Sequence, residues 1–366
     1  MMWVPSPSRR ESGCDTARAP SILSCHEREL MRVLIIGGTR NLGPSIISAL
    51  VTAGHQVTIF HRGRTLYDLP REVEVLNGDR AQRADCERSF GGRDFDAVID
   101  TTLYNGRDAA IATEIFEGHV CQYIFISTGQ VYLVRTGPQR PFRETDYDGP
   151  LMPEPPKDHH QDHDNWVYGI EKREAEDILA EVHAKHAFPY VSLRLPMVNS
   201  ERDHYHRLQN YLLRMWDGSP LLIPDEPGLP VRHVYGQDVV RAIELCLANR
   251  ETIGRAYNIG QDETLSLREF LDLTAEIAHS KPQIAAFPRP LLDSARLLPA
   301  CSPFSGPWMS SLDNAHSKQE LGMTYTPLRA YLAKLVEYFR EHREPAPPGF
   351  EEHRNRELAF AQHHGA

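Results

Sequence analysis

The stretch Arg32 to Gly43, RVLIIGGTRNLG, decides how the rest of the chain is read. After Arg32 it opens with a continuous aliphatic run, as a strand buried on both faces of a parallel sheet requires. Glycines at 37, 38 and 43 then make a turn. PSIISALVTAG follows, with Ile46, Ile47, Leu50 and Val51 on one helical face, Pro44 suited to the helix start and Gly54 to its end. The rhythm repeats downstream. QVTIF (56–60), VEVL (73–76), DAVID (96–100) and QYIFIS (122–127) read as four more strands, mostly separated by helical stretches. Alternation of this kind predicts an α/β fold with a doubly wound parallel sheet.

The glycine turn also carries chemistry. Gly37-x-x-x-x-x-Gly43, set between a strand and a helix, aims backbone N–H groups and the helix dipole at a pyrophosphate. Gly37, Thr39, Arg40, Asn41, Leu42 and Gly43 are therefore candidate dinucleotide-binding residues. Two frames share the outer glycines. In one, Arg40 replaces a middle glycine; in the other, Asn41 takes that place. Asparagine tolerates positive φ better than most residues, so Asn41 can make the turn and leave Arg40 free to face the adenosine end. NAD sites usually place an acid at the end of the second strand, against the ribose hydroxyls. Here that end carries His61, Arg62 and Arg64 and no acid. Arginine can bind a 2′-phosphate bidentately, so NADP is the preferred cofactor, with NAD the other choice. An exposed basic cluster unrelated to any cofactor would look the same in sequence.

Composition narrows the class. The chain has 366 residues, 41% hydrophobic and 25% charged, which is ordinary for a globular protein. A formal net charge of -10 makes nucleic acid an unlikely partner in electrostatic terms. No apolar run approaches the roughly 20 residues that span a bilayer, so no membrane association is expected. Six cysteines form no CxxC pair and read as reduced, which suggests a cytoplasmic location. Residues 1–30 lack the apolar core of a secretory signal and are expected to be disordered, with Met31 an alternative functional start. Residues 134–165, rich in Pro, Asp and His, read as a long loop, and helix resumes at Asn165. Within that loop DHHQDHD, residues 158–164, could attract a metal, but no regular element would preorganise it, and no metal site is assigned. SLRE at 266–269 has the form of a capping box. Residues 346–366 read as a poorly ordered tail.

The catalytic candidates lie around two further motifs. STGQVY, starting at Ser127, follows the fifth strand, and YGIEK starts at Tyr168. Tyr168 and Lys172 stand at i and i+4, on one helix face. A lysine beside a tyrosine favours the phenolate, so the spacing predicts a lowered pKa for Tyr168.

With these motifs in this order, residues 31–340 resemble the extended short-chain dehydrogenase/reductase superfamily, in its NAD-dependent epimerase/dehydratase group. The resemblance implies a Rossmann domain over 31–200 and a smaller C-terminal substrate domain over 201–345, some segments of which return to the first. It implies catalytic roles for Thr128, Tyr168 and Lys172, with Lys172 also on the cofactor ribose. Asp79 in NGDR matches the position that faces adenine, and Arg80, Thr101 and Pro196 join the cofactor set. GGTRNLG looks most like an atypical branch that includes chloroplast stem-loop RNA-binding proteins, some members of which lose the tyrosine. Two departures bear on substrate. Gly129 and Gln130 stand where sugar 4,6-dehydratases carry Asp-Glu, and Met197 stands where sugar-nucleotide epimerases often carry Asn. The expected activity is hydride transfer at a hydroxyl or carbonyl carbon of a small, sugar-like or other substrate, with a homodimer as the candidate assembly. The alternative is a non-catalytic dinucleotide-binding protein, RNA-associated or regulatory.

Overall fold

The computed structural model describes residues 30–64, 69–225 and 229–365. Its central sheet has seven strands, all parallel. They are β1 (Arg32–Ile36), β2 (Gln56–His61), β3 (Glu74–Asn77), β4 (Ala97–Asp100), β5 (Tyr123–Thr128), β6 (Tyr190–Leu195) and the late strand β10 (Arg255–Asn258). Their spatial order is β10-β6-β5-β4-β1-β2-β3. The order reverses at β1, whose neighbours are β2 and β4. Between these strands come β7 (Val198–Asn199), β8 (Leu221–Pro224) and β9 (Val234–Tyr235), and after them β11 (Ile284–Phe287). The last four form two small sheets, β7 with β9 and β8 with β11.

The period of two in the strands sorts their side chains onto two cores. Val33, Ile35, Ile59, Ile99, Ile124 and Ile126 face one, completed by α1 (Gly43–Thr52) and, from later in the chain, α7 (Gly236–Ala248). Leu34, Ile36, Phe60, Val98, Tyr123 and Phe125 face the other. There they meet α2 (Arg83–Phe90), α3 (Gly106–Phe116) and the long α5 (His160–His186). The short α4 (Gln130–Leu133) lies against α5. A separate core joins α6 (Arg207–Trp216), α8 (Leu267–Ile277) and α11 (Leu328–His342) through Tyr211, Leu212, Phe270, Leu271, Tyr331 and Leu335. Two short helices, α9 (Arg289–Ser294) and α10 (Ala315–Glu320), complete the connection to α11. Ser266 and Glu269 cap α8 reciprocally, as their spacing predicts.

Three local readings need correction. First, the tail is not loose: α12 (Phe350–His363) docks with Arg354, Glu357 and Ala361 buried. Glu357 pairs with Arg214 of α6, each 1% exposed, and Arg354 pairs with Asp217. Proline and polar residues suggest disorder locally, but ion-pair partners over a hundred residues away in the chain hold this helix. Second, α5 begins at His160, so most of DHHQDHD is its first turn. The indole of Trp308 donates to Asp162 there at 2.8 Å, and His163 lies 3.0 Å from Glu154. Third, Cys121 is disulfide-bonded, whereas Cys86, Cys246 and Cys301 are free and buried. Linear spacing says nothing about which thiols a fold brings together, so the argument from six reduced cysteines fails at Cys121. The disorder expected for residues 1–30 falls, apart from Leu30, outside the described residues.

Candidate active site

The site residues gather at the carboxyl ends of the parallel strands, beside the point where strand order reverses, which is where open α/β sheets bind ligands. Gly37 leaves β1 at φ 95° and donates its N–H to the Phe60 carbonyl at 2.9 Å. A Cβ built there would sit 2.3 Å from Thr101 Oγ1. Thr101, just past β4, holds the turn through two bonds to the Ile36 carbonyl, from its N–H at 3.0 Å and its hydroxyl at 2.9 Å. Gly43 opens α1, and a Cβ there would lie 2.3 Å from Gly38 Cα. The loop is thus a bare-backbone cradle leading into a helix, which suits a pyrophosphate. Asn41 adopts φ 49°, the positive-φ conformation expected of it, and its Oδ1 accepts from the Ser200 hydroxyl at 3.0 Å. Leu42 is buried beneath the loop at 6% exposure, and Thr39 is half-buried. Arg40 is exposed, with Nη1 3.3 Å from His204 Nε2.

β2 ends without a carboxylate. His61 Nδ1 accepts from the Gly63 N–H at 3.1 Å, and burial lowers the imidazole pKa. Arg62 and Arg64 are exposed. Arg62 and Arg40 both act on the Tyr104 hydroxyl, opposing the rise that burial gives it. Basic groups from two loops therefore meet on one side of the cradle.

Asp79 sits half-buried at the end of β3, its carboxylate accepting from the Ala81 N–H at 3.1 Å. Arg80 points elsewhere than the cofactor reading requires. Its guanidinium is 9% exposed, ion-paired to Asp100 and bonded to the Asp108 carbonyl at 3.0 Å. The fully buried Asp100 carboxylate, which also accepts from the Tyr123 hydroxyl at 2.6 Å, draws that cation into the core. Pro196 is buried below the end of β6, 3.8 Å from where a Gly260 side chain would begin.

Thr128 closes β5, and its hydroxyl bonds the Tyr168 phenol reaching across from α5. Burial raises the phenol pKa well above its ordinary value, and the Thr128 bond only partly opposes this. The lowered pKa predicted from the Tyr-x-x-x-Lys spacing is thereby corrected. Desolvation is the largest cause of the rise, and burial also suppresses the charge of the lysine itself. Lys172 is 2% exposed and gives two hydrogen bonds of 2.8 Å, to the carbonyls of Leu103 and Ile126. Its Nζ also lies 4.4 Å from the Phe125 ring centre. Burial pulls its pKa down from 10.5 to about 7, against the pull of Asp100 and Glu176. Behind Thr128, Ser127 donates to Glu176, which pairs with Arg194, both 5% exposed. Arg194 donates to the Tyr132 hydroxyl at 2.8 Å, and that hydroxyl donates to Asn258 at 2.8 Å. These buried bonds fix β5, β6, β10 and α5 against one another.

Some residues around the candidate site have no sequence signal. Tyr104 and Tyr205 stand near the Tyr168 hydroxyl, at 48% and 69% exposure. Ser310 packs on Gly129, where a Cβ would fall 2.3 Å from its hydroxyl, and the Phe142 N–H donates to the neighbouring Ser311 carbonyl at 2.8 Å. Met197 touches the Arg207 guanidinium, itself paired to Asp203 at 2.7 Å. Among the described residues no group of three or more His, Cys, Asp or Glu is arranged to hold a metal ion, and no helix is long and apolar enough to cross a membrane.

Comparison with known proteins agrees with this architecture. Residues 33–260 match the NAD dependent epimerase/dehydratase family, and the chain belongs to that family. It is 34% identical to the chloroplast stem-loop binding protein of 41 kDa b from Arabidopsis thaliana over 117 residues, 28% of this chain and 30% of that protein. It is 24% identical to 2'-dehydrokanamycin reductase from Streptomyces kanamyceticus over 252 residues, 67% of this chain and 66% of that enzyme. The chain therefore spans less than two thirds of the length of either relative. Among solved structures, the UDP-glucose 4-epimerase of Thermus thermophilus in complex with NAD superposes with a TM-score of 0.65 at 20% identity, covering 85% of this chain and 99% of that one.

Proposed function

We propose that this chain is an NADP-preferring oxidoreductase or epimerase acting at a hydroxyl or carbonyl carbon of a small, sugar-like substrate. The observation that carries this reading is the Thr128–Tyr168 contact, set beside the glycine cradle and one helical turn from Lys172. The cradle fits a dinucleotide because Gly37 and Gly43 let the turn pack tightly against Thr101 and the Gly38 backbone, where a Cβ would clash, and so lead bare backbone into the start of α1. Gly37, Thr39, Asn41, Leu42 and Gly43 would hold the pyrophosphate, with Asp79, Thr101 and Pro196 lining the remainder. Arg40, Arg62 and Arg64 support a 2′-phosphate and hence NADP; the solved relative described above carries NAD. When bound, the nicotinamide supplies or takes the hydride.

The side chains manage the proton. Kept neutral by burial, Tyr168 is set to donate its proton to a carbonyl oxygen, with Thr128 bonding the same oxygen. Lys172, with its pKa near 7, can pass a proton and keep both carbonyl bonds, since a neutral amine still has two N–H donors. The test is NADPH consumption across a panel of ketones and keto sugars. Tyr168→Phe should lower kcat by about a hundredfold or more. Unchanged turnover would overturn the assignment.

The partial match to a stem-loop binding protein supports a second reading, a dinucleotide-binding protein that associates with RNA. The retained Thr128, Tyr168 and Lys172 and the net charge of -10 weigh against it. Filter binding of stem-loop RNA at physiological salt, with and without NADP, separates the two: tight binding without redox turnover favours the second.

A further inference from the structure

The sequence has six cysteines, at positions 14, 25, 86, 121, 246 and 301. Cys121 is disulfide-bonded, and Cys86, Cys246 and Cys301 are free. Within one chain the partner of Cys121 is therefore Cys14 or Cys25, both of which lie outside the described residues. Cys121 stands half-buried just before β5, at the amino end of the sheet and so opposite the glycine cradle. Its main chain is fixed. Arg250 donates to the Cys121 carbonyl, and the next side chain, Gln122, donates to the Cys246 carbonyl at 2.8 Å and to Thr252 Oγ1 at 2.9 Å. The chain enters β1 at the same end. There the Met31 N–H donates to His55 Nδ1 at 3.2 Å, and the Asp96 N–H donates to the Arg32 carbonyl at 2.9 Å. The register between β4 and β5 sets Asp96 beside Cys121. Arg32, Asp96 and Cys121 thus form a row over three parallel strands, two strand spacings or about 10 Å from end to end.

We propose that Cys25 is the partner of Cys121, and that the bond straps the segment before β1 across the amino ends of β1, β4 and β5 as a redox-sensitive brace. The seven residues from Cys25 to Arg32 extend to about 23–25 Å, enough to follow that row with slack. Cys14 lies eighteen residues from Arg32, and loop-closure entropy disfavours the longer closure by about fourfold. Forming the bond takes two electrons and two protons from the thiols of Cys25 and Cys121. By exchange these reduce one low-molecular-weight disulfide to two thiols, and a dithiol reverses the step. The oxidised form braces β1, whose other end carries the glycine cradle, because the unfolded chain loses the conformations in which residues 25 and 121 are far apart. Reduction releases the segment and withdraws the brace.

The test equilibrates the full chain with oxidised glutathione, alkylates the remaining thiols in urea and digests with trypsin without reduction. Mass spectrometry should find residues 19–28, which hold Cys25, joined to residues 108–135, which hold Cys121. Trypsin leaves Cys14 on residues 11–18, so the two partners are told apart. Excess dithiothreitol should lower the thermal unfolding midpoint of the oxidised chain by about 5 °C or more. Cys25→Ser should lower it equally and make it insensitive to dithiothreitol, whereas Cys14→Ser should behave as the native chain does. A Cys121 that is alkylated or bonded to glutathione, a bond from Cys121 to residues 11–18, or a dimer joined through Cys121 overturns the proposal. So does a bond to Cys25 whose reduction leaves the midpoint unchanged, since such a bond braces nothing.

Discussion

Replacing Lys172 by methionine should cost the protein least near neutral pH, and the cost should grow steadily toward alkali. The ammonium is fully buried, and burial moves its pKa from 10.5 to about 7. At about 1.4 kcal/mol for each tenfold change, that amounts to at most about 5 kcal/mol against folding at pH 7. The sign follows from proton counts. Between pH 7 and 10.5 the unfolded chain holds a proton that the folded lysine has shed, so native stability rises with pH by about 1.4 kcal/mol per unit. Below that window both states are protonated and the penalty is constant; above it neither is, and the penalty is gone. Methionine removes this dependence. It also leaves the Leu103 and Ile126 carbonyls without the lysine, at about 1–3 kcal/mol each. That loss lowers the variant by a fixed amount at every pH and does not change the slope. Urea unfolding of both proteins from pH 6 to pH 10 measures the difference. Native stability should gain on the variant steadily across the window. A difference independent of pH would show that Lys172 carries an ordinary exposed-type charge and that its burial has been misread.

Three other perturbations test separate parts of the structure. Gly43→Ala would put a Cβ 2.3 Å from Gly38 Cα, so the loop must open; calorimetry should show NAD and NADP weakened alike by about tenfold or more, and full affinity would contradict the close approach. Arg62→Ala should weaken NADP about tenfold more than NAD by removing a charge-assisted bond to the 2′-phosphate, and equal losses would remove the basis for NADP preference. Glu357→Leu strands the buried Arg214 guanidinium and should destabilise the protein by about 3–5 kcal/mol in urea unfolding; no change would return the C-terminal segment to the status of a loose tail.

The sheet was readable because its information is local. Aliphatic runs such as VLII and QYIFIS alternate with helical periods, and that pattern places strands to within about a residue or two. The glycine turn was readable for a similar reason: positive φ at Gly37 and Asn41 is a property of residue type, and both adopt it. The Tyr-x-x-x-Lys spacing correctly sets Tyr168 and Lys172 one turn apart on a helix. It misleads on pKa because spacing carries no information about burial, and burial dominates both groups.

What the amino-acid sequence determined by itself, then, was the order of strands and helices, the glycine turn and the one-turn spacing of Tyr168 and Lys172. These follow from side-chain periodicity and backbone preference, which act over a few residues. Only the tertiary structure decided that Arg80 turns inward to Asp100, that Lys172 is held by two backbone carbonyls and that α12 docks through Glu357. Each depends on desolvation or on a charged or polar partner elsewhere in the fold. Such energies exist only once the chain has brought those groups together and removed the water between them.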